Sequence, residues 1–135
     1  MKNDPRQLNS LALAYIGDAI YEVYVRTYLI EERQVKPQQL HNHAVHYVAA
    51  SAQASILHHW LRADVLTEEE IAVVKRGRNA KSKSKAKNMS VSDYRHATAF
   101  EALIGFHYLM GHKERLNILQ NTAISWINEQ KEKPE

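Results

Sequence analysis

"AYIGDAIYEVYVR", residues 14–26, reads as the middle of an apolar helix, yet it carries Gly17 and Asp18 side by side. A glycine inside a helix costs about 1 kcal/mol relative to alanine. A carboxylate among Ile16, Ala19 and Ile20 costs more unless something positive meets it. Two expensive residues in an otherwise favourable helix need a reason from elsewhere in the chain.

Working outward, Asn9 or Ser10 can cap this helix, whose apolar positions Leu13, Ile16, Ile20, Val23 and Thr27 carry it to about Glu31. "VKPQQ" breaks the chain, and a second helix starts near Pro37 and runs through "QLHNHAVHYVAA". "SAQASILHHWLRAD" either continues it or opens another at Ser51. Thr67-x-x-Glu70 is a capping-box pattern, with acids in the first turn, and the helix it opens is expected to stop around Arg76–Gly77. Ser90-x-x-Asp93 starts a further helix that ends at Gly111, and a last one spans about Lys113 to Glu129. No strand alternation or internal repeat interrupts this pattern. The expected fold is all-α, with five to seven helices in one domain over residues 1–135 and a flexible basic loop at about 77–90.

Composition narrows the chemistry. With 44% hydrophobic and 24% charged residues, the chain has the balance of an ordinary globular protein. It has no cysteine, which excludes disulfides, thiolate nucleophiles and Cys-based metal centres. "MKNDPRQLNS" lacks the apolar segment of a secretory signal, and no run approaches the roughly 18 apolar residues of a membrane span. A cytoplasmic protein with no membrane attachment is expected.

The oddity of the first helix occurs again. In "TAFEALIGFHYLM", residues 98–110, Glu101 is a lone carboxylate among Phe100, Ala102, Leu103 and Ile104, with Gly105 one turn on. Small residues (Ala14, Gly17, Ala97, Gly105) would let two helices cross closely. Two acids brought together in an apolar crevice repel each other unless a divalent cation binds between them. Mg²⁺ is commonly held by one or two carboxylates plus waters and substrate phosphate oxygens, and Asp18 with Glu101 supplies that minimum. The alternative is that both carboxylates point to solvent and the glycines serve packing alone. Glu22, i+4 from Asp18, is a third candidate ligand; it is also i−4 from Arg26, where an ion pair would account for it.

"LAYIGDAIYEVYVR" and "TAFEALIGFHYLM" resemble the two signature helices of the ribonuclease III catalytic domain, its Gly-Asp-Ala and Glu-Ala-Leu-Ile-Gly motifs. The motif order covers nearly the whole chain. With "KRGRNAKS" between the motifs and no C-terminal double-stranded-RNA-binding domain, the chain looks like the compact Mini-ribonuclease III subgroup. The resemblance implies a homodimeric, Mg²⁺-dependent endonuclease that cuts double-stranded RNA, leaves 5′-phosphate ends, and matures both ends of the 23S ribosomal RNA precursor. It carries the catalytic, metal-holding acids onto Asp18 and Glu101. Ala14 and Thr98 stand where the family commonly has two further acids, a thinner set that the compact subgroup shares.

Substrate binding is expected from the basic run. Lys75, Arg76, Arg78, Lys81, Lys83, Lys85 and Lys87 make seven of thirteen residues basic, with no acid among them. Such an arm follows phosphates without reading bases, which suits duplex RNA recognised by shape and 2′-hydroxyls. A large-subunit ribosomal protein on the precursor is a candidate partner for presenting the cleavage site. His41, His43, His46 and His58-His59 lack ligand spacing and are read as polar helix faces. Tyr21, Tyr24 and Tyr28 are candidates for burial in a dimer interface. The competing readings are a non-catalytic RNA-binding or scaffold protein on the same fold, and a helical protein-interaction module.

Overall fold

The computed structural model describes residues 3–80 and 90–132. Asn9 caps the first helix, its side chain accepting from the Leu11 amide at 2.7 Å, and α1 runs from Ser10–Glu31. A 3-10 turn at Pro37–Gln39 leads into α2, Leu40–Val48. One extended residue, Ala49, separates it from α3, Ala50–Arg62, so the stretch left open in the sequence is two helices and not one. The Thr67–Glu70 capping box forms in full and opens α4, Glu68–Asn79. Ser90 caps α5, Val91–Met110, which ends at Gly111 in the left-handed conformation (φ 75°). The last helix, α6, spans Lys113–Glu132. Among the described residues every regular element is helical.

α5 is the centre. Every residue from Ala97 to His107 is buried except Glu101. A helix buried all round must be touched on all sides, and α1, α3, α4 and α6 pack against it. Tyr21 of α1 meets Phe100 edge-on at 4.9 Å, and Trp60 of α3 stacks on the same ring at 5.4 Å. The core then extends through Leu116, Leu119, Ile124 and Ile127 of α6.

Three expectations are corrected. The buried stripe of α1 is Leu13, Ala14, Gly17, Tyr21, Val25 and Leu29, while Val23 is 63% exposed and Thr27 is exposed too. Gly17 lies on that stripe, where α1 meets α5 backbone to backbone. The second concerns α4, which does not stop at Gly77. That glycine lies within the helix, where an added Cβ would stand 2.8 Å from the Ala99 Cα, so it serves close packing on α5. The third is Tyr21, which belongs to the core, fully buried.

Candidate active site

The crossing of α1 and α5 is a backbone-to-backbone contact. A Cβ added to Gly17 would lie 1.8 Å from the Glu101 carbonyl oxygen, and one added to Gly105 would lie 2.0 Å from that of Leu13. Only glycine permits such an approach at both points. Its consequence is chemical: Asp18, next to Gly17, comes within side-chain hydrogen-bonding reach of Glu101.

The two acids sit differently. Asp18 is exposed and Glu101 is half-buried. Burial first, then the hydrogen bond and charge of Asp18, push the Glu101 carboxyl up to about 8. Ionised, Glu101 faces the like charge of Asp18. A third side chain was not anticipated from sequence. Gln53 of α3, 2% exposed, lies close enough to Glu101 to favour its charged form.

Glu22 is engaged elsewhere: Arg26 Nε donates to its Oε2 at 3.0 Å. Among the described residues no three His, Asp or Glu converge as a metal-holding group, so the pair stands without a third such ligand. The donor set still fits a hard divalent cation. It is all oxygen, and a carboxyl held protonated by burial and a like charge is one whose ionised form a cation would stabilise.

Of the basic run, Lys75, Arg76 and Arg78 lie on the last turns of α4, with Lys75 and Arg76 exposed and Arg78 half-buried. Lys81, Lys83, Lys85 and Lys87 lie outside the described residues. A second polar cluster centres on the buried Glu70 and His107. Glu70 of α4 accepts from Arg115 Nε and Nη2, both at 2.8 Å, and pairs with His107 Nε2 at 2.6 Å, while His107 Nδ1 lies 3.0 Å from His112 Nδ1.

Residues 11–112, which hold both acids and both contact glycines, match the family model described as the ribonuclease III domain. The chain belongs to the ribonuclease III family. It is 54% identical over 130 residues to Mini-ribonuclease 3 of Enterococcus faecalis, covering 96% of this chain and 98% of that protein. It is 55% identical over 127 residues to Mini-ribonuclease 3 of Brevibacillus brevis, covering 94% and 93%. The crystal structure of a Fusobacterium nucleatum protein superposes with a TM-score of 0.79 at 31% identity, covering 92% of this chain and 98% of that one. These findings establish the all-α ribonuclease III fold and make the chain an endoribonuclease of this family. Among the described residues no helix is long and apolar enough to cross a membrane.

Proposed function

We propose that the chain is a divalent-cation-dependent endoribonuclease that cuts double-stranded RNA, with Asp18 and Glu101 as the catalytic pair. The observation that carries this reading is their meeting at a crossing of two helices so close that both contact points must be glycine. A non-catalytic RNA-binding fold has no physical need of a half-buried glutamate whose charged form is disfavoured.

Asp18 and Glu101 would hold Mg²⁺, which supplies an activated water at neutral pH and polarises the scissile phosphate. The chain does the rest. The close crossing fixes the backbone that carries the two carboxylates. The buried flanks of Glu101 limit water on its α5 side. Arg76, Arg78 and Lys75 at the end of α4, continued by the basic run of the sequence, attract the phosphate backbone. The products have 5′-phosphate ends. The substrate we propose is the stem that pairs the two ends of the 23S ribosomal RNA precursor; support for this is the resemblance of both motifs to the compact subgroup.

The active form proposed is a homodimer. Tyr15, 84% exposed, and Val23, 63% exposed, flank Asp18 on α1, an apolar surface that a second copy would cover. Sedimentation equilibrium is expected to give twice the mass of the chain.

The test is direct. Purified protein is incubated with a long RNA duplex and Mg²⁺ beside Asp18→Asn. The reading requires cleavage by the wild type, none by the variant, and none in chelator. It is overturned if the wild type retards the duplex on a gel yet leaves it intact.

A further inference from the structure

Two histidines where α3 meets α5 have no part in the function proposed above. His58 of α3 and His96 of α5 lie ring against ring, with centroids 4.2 Å apart and planes tilted by 38°. Both are half-buried. His59, the next residue of α3, is engaged elsewhere, stacked on Trp126 of α6 at 3.8 Å.

The pair can take up a proton at a defined place. His96 Nδ1 lies 2.7 Å from the Ser92 carbonyl oxygen one turn back, and a carbonyl only accepts, so Nδ1 carries the hydrogen. Nε2 then holds the lone pair to which a proton adds, and protonation makes it a second donor. The free protein resists that charge. Burial first, then the neighbouring His96 and Arg62, hold the His58 imidazole below its ordinary range, with Asp93 pulling the other way. An anion beside the rings would reverse the balance.

The position of the pair says which anion. His96 stands one turn before Ala99, the residue on which α4 packs through Gly77, between Arg76 and Arg78. Glu101 follows five residues after His96, about 7.5 Å along the helix axis. Arg95 beside His96 and Arg62 one turn on from His58 are both exposed and add positive charge. An RNA backbone that reaches from the basic end of α4 to the acid pair spans this stretch of α5.

We propose that His58 and His96 form a proton-dependent contact for the RNA phosphate backbone, the pair taking up a proton as the substrate binds. The inference rests on the RNA-cutting function proposed above and adds two contact residues to it. Such a contact carries no base information, and its strength follows pH as well as salt.

The test is duplex RNA binding by filter retention, in chelator and at constant ionic strength, between pH 8 and pH 6. Glu101→Gln protein is the parent, so that the raised carboxyl does not titrate in the same range. By linkage, each proton taken up with the RNA adds about one unit to the slope of log K against falling pH. The parent's affinity is expected to rise on the order of fivefold per pH unit, and adding His58→Gln or His96→Gln should cut that to under about twofold. His96→Arg carries a charge that pH does not remove, so it should bind more tightly than His96→Gln at pH 8 and flatten the profile. A slope that both glutamine variants keep overturns the proposal. So does a weakening of equal size at every pH, the mark of a packing defect, or His96→Arg binding no better than His96→Gln at pH 8. No binding by the parent at any pH overturns the RNA-cutting reading itself.

Discussion

The carbonyl oxygen of Glu101 stands 1.8 Å from the point where a Cβ on Gly17 would be. An oxygen of the main chain cannot rotate away, so Gly17→Ala must push α1 off α5. Overpacking of this kind costs typically about 1–3 kcal/mol, and a backbone obstacle belongs at the upper end. Gly105→Ala meets the Leu13 carbonyl oxygen at 2.0 Å and is expected to behave alike. Gly111→Ala is the control: nothing crowds it, and it pays only for its positive φ, about 1 kcal/mol. Thermal melts should therefore rank Gly17→Ala and Gly105→Ala well below Gly111→Ala. Duplex cleavage should be lost in the first two and kept in the third.

Glu101 gives the metal-free protein an unusual pH response. Unfolded, its carboxyl ionises near the ordinary 4.5; folded, it holds its proton up to about 8. Between those values the unfolded chain binds fewer protons, so this group makes stability fall as pH rises. Glu101→Gln removes the effect. In chelator the variant should match the wild type near pH 4 and exceed it above pH 8. The margin expected is on the order of 2 kcal/mol, discounted for water reaching a half-buried carboxyl. With Mg²⁺ present the wild type regains stability and the variant does not.

Glu70 is the opposite case. Burial alone would raise its carboxyl, but the hydrogen bonds from Arg115 and His107, joined by the Thr67 amide, hold it well below the usual range. Its stabilisation is therefore complete above the unfolded pKa near 4.5 and is lost progressively in acid. Glu70→Gln leaves Arg115 without its counter-charge and should cost about 3 kcal/mol at pH 7, as breaking a buried pair does. That deficit should shrink below about pH 4, which urea melts at several pH values will show.

Much of this was legible in the chain. Asp18 and Glu101 stood out because each interrupts an apolar helix, and the glycine near each announced a close approach. The caps at Asn9, Thr67 and Ser90 are local patterns, and local physics sets them. Gln53 was not legible: in "SAQASILHH" it looks like a surface residue, and its burial follows from packing against a helix 48 positions further along. The pairing of Glu70 with Arg115 is equally remote, 45 residues apart. Gly77 misled for a related reason. A glycine just after Lys75 and Arg76 reads as a helix stop, and only the position of Ala99 reveals it as a contact point. Glu22 carried two readings at once, and its 3.0 Å contact with Arg26 matches the ion pair.

The basic end of α4 predicts how binding depends on salt. Each Lys or Arg that meets a phosphate adds close to one unit to the slope of log K against log salt. Arg76→Ala and Arg78→Ala should each lower that slope by about one, weakening all duplexes alike regardless of sequence. Filter binding of the protein in chelator at several KCl concentrations measures it. A sequence-dependent loss would instead make either arginine a reader of bases.

The central claim is that Asp18 and Glu101 act as one site. Single-turnover cleavage of an RNA duplex by Asp18→Asn, Glu101→Gln and the double variant tests it most directly. Each single change should cost about a thousandfold or more in rate, and the double variant should be no slower than the worse single one, because residues serving one centre do not lose activity additively. Losses that multiply, or a single variant that cuts at the wild-type rate, would contradict the account.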